Sequence, residues 1–313
     1  MLLSNKTVSY NIPFADAEVK RICVENWGSD GELTFEQAAA VTSIPTGIFS
    51  DNTSIVSFDE FRFFTGCHTL GSGSVNTNAN VTSTPIYASG AFGGCSNLRS
   101  IVLPDSIASI GVAAFANCVS LERIGYANGY PSFVHLDASS LGWGAFYNTP
   151  NLRQKVSFDG ITSLNVDVWG HIGPFCSSGF KGIALPKITV IPNGQKRNGG
   201  YYSGFPFEGC TNLRWLVVPN ILSFETNALY GAANLDAILI DRKVKEGDPV
   251  VVATCADGAY PYDDYFHYVS VKVPQRTYDD TEYLEAYRNA PGWNSTLRFW
   301  ITDYYYDYDY FNN

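Results

Sequence analysis

The chain has 313 residues, of which 45% are hydrophobic, so it is long enough to bury a large core. Its 20 basic and 30 acidic residues give a formal net charge of -10, which argues against nucleic acid or an anionic membrane surface as a partner. No apolar run reaches the roughly 20 residues that a membrane span needs.

Residues 1–45 are predicted to form a leading arm followed by two helices. Met1–Lys6 lack the positive-then-apolar layout of a signal peptide, so we expect either an earlier removal of a leader or release by lysis, as for a virion component. Asp16 is a favourable N-cap for the first helix. The second helix is predicted to begin at Thr34, which can form a capping box with Gln37.

The segment between the predicted helices resembles a calcium-binding helix-loop-helix. Asp30 and Glu32, on either side of Gly31, are the candidate ligands. The last ligand position falls on Gln37, whose amide cannot supply the bidentate carboxylate that such a site uses. We therefore predict a hairpin without a metal or other cofactor, which covers the apolar edge of the first repeat.

A recurring spacing of apolar residues organises residues 46–242. In its clearest copy, Phe92 is followed by Cys95, Leu98 and Ile101 at intervals of three residues. The same ladder is found, with variations, from Phe49, Phe64, Phe115, Phe146, Phe175, Phe207 and Leu229. No copy can bury its apolar side alone, so we predict that the copies stack and that the aromatic residues align along a common axis.

The seven cysteines are an odd number without a C-x-x-C pair, which argues against a zinc site or a complete disulfide framework. Several fall at one small-residue step of the repeat, namely Cys67, Cys95, Cys118 and Cys210, and Thr149 and Ala232 take that step elsewhere. A free cysteine packs as a small hydrophobic residue, so these are predicted to be buried packing thiols.

The spacing A-F-x-x-C-x-x-L-x-x-I-x-L-P of Ala91–Pro104, repeated at Pro206–Pro219, resembles the BspA-like leucine-rich repeat family of Bacteroides-type gut anaerobes. Phe14–Val41 and Val271–Ile301 resemble the segments that flank such repeats. The resemblance implies an α+β solenoid with short strands, an N-terminal helical hairpin cap and a C-terminal strand-helix cap. It also implies an extracellular binding or adhesion scaffold, and it supplies no catalytic residues.

Insertions lengthen several repeats and carry candidate ligand-binding side chains. They are predicted at Gly71–Gly90, Ala127–Gly144, Asp159–Gly173 and Asn193–Gly204. Aromatic residues in or near them suit recognition of proteins or sugar rings. The candidates are Trp143, Trp169, Tyr201, Tyr202, Phe205 and Trp215. The same rings could instead pack the insertions onto the solenoid, and both roles stay open.

The strand positions that should face away from the core are mostly small or apolar. By alternation they are Ser100, Val102, Gly182, Ala184, Trp215, Val217, Ala237 and Leu239. An uncharged sheet face is either a surface for a partner or a face that the insertions shield.

Residues 243–302 are predicted to form the C-terminal cap. The pattern predicts strands at Val250–Ala253 and Val269–Val273, followed by a short helix with Tyr283 on its apolar face. The final segment, Asp303–Asn313, is aromatic and acidic. It either packs back as an edge strand or docks onto another subunit by strand addition, which would make a homo-oligomer or join virion neighbours.

The sequence contains no G-x-S-x-G elbow, phosphate-binding P-loop or H-E-x-x-H motif. We therefore predict a non-enzymatic adhesion or recognition protein that binds a host surface protein or glycan. Its predicted location is extracellular, on a bacterial cell surface or on a bacteriophage virion. Two alternatives stay open: a structural virion component assembled through the terminal arm and tail, and a glycan-active enzyme with two carboxyl groups across a cleft.

Overall fold

Each repeat forms one coil with two short strands separated by turns, and the strands of successive coils pair in parallel. The structure is a computed structural model that describes residues 10–73, 90–125, 133–164, 172–196, 202–240, 249–256, 259, 269–274, 281–293 and 299–302. Coils are named below by the residue at their aromatic step, so that the Phe92 coil begins at Phe92. No described helix is both long enough and apolar enough to cross a bilayer.

The helices are α1 (Ala17–Trp27), α2 (Phe35–Ala39) and α3 (Glu282–Asn289), with a 3-10 helix at Asp59–Phe63. The strands are β1 (Ser43–Ile44), β2 (Ser57–Phe58), β3 (Thr69–Leu70), β4 (Ser100–Ile101), β5 (Ser109–Ile110), β6 (Phe133–Leu136), β7 (Ser140–Leu141), β8 (Lys155–Phe158), β9 (Gly182–Ala184), β10 (Val190–Ile191), β11 (Gln195–Lys196), β12 (Tyr202–Ser203), β13 (Trp215–Val217), β14 (Ser223–Phe224), β15 (Ala237–Leu239), β16 (Thr254–Cys255), β17 (Val269–Lys272) and β18 (Phe299–Thr302).

The first strands of the coils form one row and the return strands form another. The first row contains β2-β4 and the seven-stranded sheet β18-β17-β15-β13-β9-β8-β6. The second row contains β1-β3-β5-β7 and β10-β14-β16. Strands β11 and β12 form a separate antiparallel pair. Parallel pairing of short strands around one shared core is the arrangement that the repeat predicts.

The aromatic steps of successive coils stack along the core. Ring centroids lie 5.4 Å apart for Phe92–Phe115, 5.5 Å for Phe115–Phe146 and 5.9 Å for Phe175–Phe207, with ring planes within 9° of parallel. Phe49 extends this column at one end, and the buried Leu229 takes the same repeat step in the next coil. The predicted common axis through Phe92, Phe115 and Phe207 is confirmed.

The cysteine step links neighbouring coils. The Cys95 thiol donates to the Phe49 carbonyl oxygen at 3.0 Å, and the Cys210 thiol donates to the Phe175 carbonyl oxygen at 2.9 Å. Thr149 takes this step in the Phe146 coil and donates instead to the Phe146 carbonyl oxygen. All seven cysteines are free and buried, as the packing interpretation predicts.

The prediction of a separate repeat at Phe64 is wrong. Leu70 pairs with Ile110 of β5, so this segment is the return strand of the Phe49 coil. Cys67 therefore corresponds to Ile107 and lies outside the cysteine column, with its sulfur 3.7 Å from the Thr69 carbonyl oxygen. The error arises because both halves of a coil place apolar residues three apart.

In each coil the residue two positions after the aromatic step has a left-handed backbone conformation, and these residues form a column at which the coils turn. It contains Asp51 (φ 58°), Gly94 (78°), Asn117 (60°), Asn148 (53°), Ser177 (56°), Gly209 (72°) and Gly231 (96°). The Asn117 N–H donates to the Tyr147 carbonyl oxygen of the next coil at 2.8 Å. A Cβ on Gly231 would lie 2.2 Å from the Phe207 carbonyl oxygen, so glycine is needed there for space as well as for its backbone angle.

The two N-terminal helices begin where the sequence predicts and pack on the Phe49 coil. Asp16 Oδ1 accepts from the N–H groups of Glu18 and Val19, and its Oδ2 accepts from the Val56 N–H at 2.8 Å. One carboxylate thus caps α1 and fixes it to the segment that leads into β2. The second helix has the predicted capping box, and the Trp27 ring lies 6.3 Å from that of Phe49.

Helix α3 packs against the last return strand. The Ala253 N–H donates to Tyr287 Oη at 3.1 Å, and the Ala253 carbonyl accepts from Trp293 Nε1 at 2.7 Å. Both backbone groups of Ala253 are therefore used by side chains, which is why the strand begins at Thr254. The predicted strand at Val250–Ala253 is wrong.

Part of the predicted insertion Ala127–Gly144 belongs to the solenoid. Phe133–Leu136 forms β6, which pairs with β8, and Ser140–Leu141 forms β7 of the return row. Val134 and Leu136 are buried, as alternating residues of a strand over the core should be.

Candidate functional site

The predicted ligand-binding aromatics have different surroundings. Trp143 is half-buried, and its carbonyl accepts from the Ala113 N–H at 3.2 Å. Phe205 is only 5% exposed and packs on Tyr230, with ring centroids 4.6 Å apart, so little of its ring is available to a ligand. Tyr202 lies in β12, whereas Trp169 and Tyr201 lie outside the described residues.

Trp215 is half-buried on β13, in the middle of the seven-stranded sheet. Trp143 follows β7 in the Phe115 coil and Trp215 belongs to the Phe207 coil. No described contact joins these two rings.

Lys155 and Trp215 meet across a glycine. Lys155 on β8 and Trp215 on β13 both align with Gly182 on β9. The Lys155 ammonium lies 4.6 Å from the Trp215 ring centroid, which is cation–π distance. A Cβ on Gly182 would lie 3.2 Å from Lys155 Cγ and 3.6 Å from Trp215 Cε3. Glycine at this position therefore leaves room for the lysine stem and the indole to come together.

A second cation lies beside this pair. Burial lowers the pKa of Lys155, and the nearby charge of Lys181 lowers it further. Lys181 is exposed and makes no ion pair in the part of the chain that the structure describes. By contrast, Arg214 on the neighbouring coil lies 3.4 Å from the Asp236 carboxylate. The Lys155 ammonium thus lies next to Trp215, and the charge of Lys181 is close enough to act on Lys155.

The rest of this sheet face is shielded. Ala184, Val217 and Leu239 point away from the aromatic core by alternation, yet each is at most 5% exposed. They form a separate buried cluster with Ala237, and Trp215 packs at its border. Of the two alternatives for this uncharged face, the structure supports shielding, and the half-buried Trp215 lies at its margin beside Lys155.

A polar cluster that the sequence analysis missed lies at the other end of the sheet. His135 Nδ1 is 2.9 Å from Asp159 Oδ2, and the Ser157 hydroxyl donates to Asp159 Oδ1. The carboxylate therefore lies between the imidazole and the hydroxyl. In a nucleophilic triad the imidazole lies between the other two groups, where it can take the hydroxyl proton. This cluster does not have that order.

The buried thiols are poor nucleophiles. Burial raises the pKa of Cys95 to about 12, that of Cys210 to about 12 and that of Cys67 to about 11. Because a thiolate is the reactive form, these cysteines are held in the unreactive thiol form at neutral pH.

The side chains at the candidate calcium-ligand positions Asp30, Glu32 and Gln37 have different surroundings. Glu32 Oε1 is 2.6 Å from Lys20 Nζ, and the Gln37 side chain is used by the capping box. Asp30 lies in the turn, with φ 51°. Among the described residues, no group of three or more His, Cys, Asp or Glu side chains is arranged to hold a metal ion.

Comparison with known proteins agrees with this architecture. Residues 60–168 match the BspA type leucine rich repeat region, in 6 copies. Over this segment the chain is a BspA-type leucine-rich repeat region. Its coils continue past the matched segment, because the aromatic column runs on through Phe175 and Phe207. No curated protein sequence matches the chain.

Three solved structures are similar to the chain. An internalin from Listeria monocytogenes is 13% identical with TM-score 0.27, and the alignment covers 89% of this chain and 63% of that chain. A leucine rich cell surface protein from Faecalibacterium prausnitzii is 13% identical with TM-score 0.22, with coverages of 74% and 77%. A leucine-rich repeat protein from Bacteroides ovatus is 16% identical with TM-score 0.17, with coverages of 84% and 85%. The chain thus spans less than two thirds of the internalin, and TM-scores this low support no conclusion about function.

Proposed function

We propose that this protein is a non-enzymatic recognition protein that binds a host surface protein or glycan at Trp215. The observation that carries the proposal is the half-buried indole with the Lys155 ammonium 4.6 Å from its ring centroid. An indole held on a rigid sheet offers a large apolar contact at little entropic cost, and an adjacent cation adds a polar contact that orients the ligand.

Binding is favoured over catalysis by the chemistry of the candidate groups. Asp159 stands between His135 and Ser157, so the imidazole is not placed to activate the hydroxyl. The raised thiol pKa values of Cys95 and Cys210 disfavour the thiolate that nucleophilic attack needs.

The proposed setting is a bacterial cell exterior, with a bacteriophage virion as the alternative. In either setting the terminal elements would cap the solenoid. Helix α1, fixed through Asp16 to the Val56 N–H, would cover the first coil, and α3 with Trp293 would cover the last. Asp303–Asn313 lies outside the described residues, so its role in joining subunits stays a prediction.

The test is a binding screen with a product assay. Purified protein is applied to arrays of glycans and of host surface proteins, beside Trp215→Ala and the matched control Trp143→Ala. We expect at least one ligand whose binding falls about tenfold or more with Trp215→Ala and stays unchanged with Trp143→Ala. Chromatography of the bound glycans should show no cleavage products. Equal loss in both variants, or release of products, would contradict the proposal.

A further inference from the structure

We infer that Cys95 and Cys118 are the two halves of a disulfide site, which joins the Phe92 coil to the Phe115 coil when the chain folds in the presence of a small-molecule disulfide. Both are free thiols in the structure, which is that of the reduced protein. Neither Trp215 nor the proposed ligand takes part. The site follows from the register of the two coils and from the directions of the two side chains.

The two coils are in register on both sides of the cysteine step. Each cysteine follows the aromatic step of its coil by three residues. The Gly94 N–H donates to the Ala116 carbonyl oxygen at 2.8 Å, and the Glu122 N–H donates to the Arg99 carbonyl oxygen at 2.8 Å. The aromatic rings of the two coils are 5.4 Å apart and 6° from parallel. Chains paired in this way place equivalent Cα atoms about 4.8 Å apart, within the roughly 4.4–6.8 Å that a disulfide requires.

The Cys118 side chain already points to the Cys95 coil. Its sulfur is 3.1 Å from the Phe92 carbonyl oxygen, and the same oxygen accepts from the Cys95 N–H at 3.1 Å. The Cys95 thiol points the opposite way, to the preceding coil, and donates to the Phe49 carbonyl oxygen at 3.0 Å. One change of the Cys95 χ1 rotamer, with loss of this weak S–H hydrogen bond, would turn its sulfur toward Cys118.

A second pair of coils shows how closely side chains approach at this step. Ser178 and Cys210 occupy it in the Phe175 and Phe207 coils, and Ser178 Oγ is 3.6 Å from Cys210 Sγ. The Cys210 thiol donates to a carbonyl of the preceding coil, as the Cys118 thiol does. A thiol in place of the Ser178 hydroxyl would therefore reproduce the arrangement of Cys95 beside Cys118. These two are the cysteines that occupy this step in adjacent coils.

The bond forms by thiol–disulfide exchange. One cysteine thiolate attacks the small disulfide and releases one of its thiols, and the second cysteine then attacks the mixed disulfide and releases the other. Two cysteine thiols are oxidised, and one small disulfide is reduced to two thiols that take up the two protons. In the folded reduced protein both sulfurs are fully buried, so the exchange takes place before the coils close. The proposed exterior setting is one in which disulfides form and persist.

The test is refolding of the full chain with a disulfide oxidant. The reduced chain is diluted from urea into a mixture of reduced and oxidised glutathione, free thiols are alkylated, and the peptides are identified by mass spectrometry. The variants are Cys95→Ala and Cys118→Ala, because a buried alanine already occupies this step at Ala232. Ser178→Cys is the matched gain of a thiol pair. Folded reduced protein receives the same mixture without urea.

We expect a peptide that joins Cys95 to Cys118 in most refolded molecules, whereas Cys210 should remain a free thiol. The oxidised chain should unfold at a higher urea concentration than the reduced chain, because the bond restricts the unfolded state. This difference should be absent in Cys95→Ala and Cys118→Ala. Ser178→Cys should add a second joined peptide, between position 178 and Cys210. The folded reduced protein should gain no joined peptide in the same time.

Three results would overturn the inference: refolded chains in which Cys95 and Cys118 stay free, chains in which either is joined to another cysteine, and chains in which either stays bound to glutathione. A joined chain without the circular dichroism spectrum of the reduced protein would overturn it too, because the bond would then belong to a misfolded state. If the alanine variants fail to fold, the original chain and Ser178→Cys decide the outcome. No ligand is involved, so failure here leaves the proposed function standing.

Discussion

Replacement of Phe115 by alanine tests whether the aromatic column is the shared core of the solenoid. Phe115 is fully buried and stacks on Phe92 and Phe146 at 5.4 Å and 5.5 Å, with ring planes 6° and 9° apart. Truncation of a buried phenylalanine costs about 3–5 kcal/mol, and each aromatic pair accounts for about 0.5–1.5 kcal/mol. Because both neighbours are stacked, we expect Phe115→Ala to lower the free energy of unfolding by about 4–5 kcal/mol.

Two control substitutions separate volume from stacking. Phe115→Leu keeps most of the apolar volume, and a buried leucine already occupies this repeat step at Leu229. The substitution should therefore lower the free energy of unfolding by about 1–3 kcal/mol, which is the contribution of the two lost aromatic pairs. Leu222→Ala removes a side chain that is 47% exposed and should change stability by no more than about 0.5 kcal/mol. Urea unfolding followed by far-UV circular dichroism measures all three. A loss for Phe115→Ala no larger than that for Leu222→Ala would refute the reasoning.

Three further predictions concern the turns, the N-terminal helices and the thiols. Asn117→Ala should cost about 1–2 kcal/mol in urea unfolding because φ is 60°, whereas Asn117→Gly should cost less; equal costs would contradict the left-handed assignment. Asp16→Ala should lower the free energy of unfolding by about 2–4 kcal/mol and speed hydrogen exchange in α1, because the helix cap and the charge-assisted bond to the Val56 N–H are both lost. Unchanged exchange in α1 would contradict the role of Asp16 in fixing this helix. The thiols of Cys95 and Cys210 should react with a disulfide reagent at pH 8 only after unfolding. The folded pKa of each thiol is about 12, above the ordinary 9.0, so between these pH values the unfolded state loses the thiol proton and the folded state keeps it. The free energy of unfolding should therefore be constant below pH 9 and fall as the pH rises toward 12, by about 1.4 kcal/mol per thiol per pH unit. A constant free energy of unfolding up to pH 11 would contradict this.

The parts of the fold that were predictable depend on local spacing. Phe92, Cys95 and Leu98 recur at fixed intervals, and a coil built on that interval must bring equivalent residues together. The N-caps Asp16 and Thr34 were also predictable from the sequence, because helix capping depends on residues within one turn.

The wrong predictions arose where one spacing of apolar residues is compatible with two different structures. Phe64 and Cys67 fit the first half of a coil as well as the return half, and only the pairing of Leu70 with Ile110 distinguishes them. The apolar run before Thr254 reads as a strand, but the backbone of Ala253 is taken by Tyr287 and Trp293. Both decisions depend on contacts between residues far apart in the chain.

The candidate site was predicted only in part. Trp215 was recognisable as an aromatic residue at an outward strand position, yet its partner Lys155 is 60 positions earlier in the printed sequence. Gly182 could not be identified as the residue that lets them meet until the register of β8, β9 and β13 was known. The order of His135, Asp159 and Ser157 likewise depends on strand pairing.

The sequence by itself determined that this protein is a repeat solenoid with an aromatic column, because a periodic apolar pattern has no other way to bury every copy. The tertiary structure decided which outward positions remain accessible and which side chains of different coils meet. Those properties depend on which coils lie side by side. Insertions of different lengths alter that alignment, so neighbouring side chains on the surface cannot be read from a period along the chain.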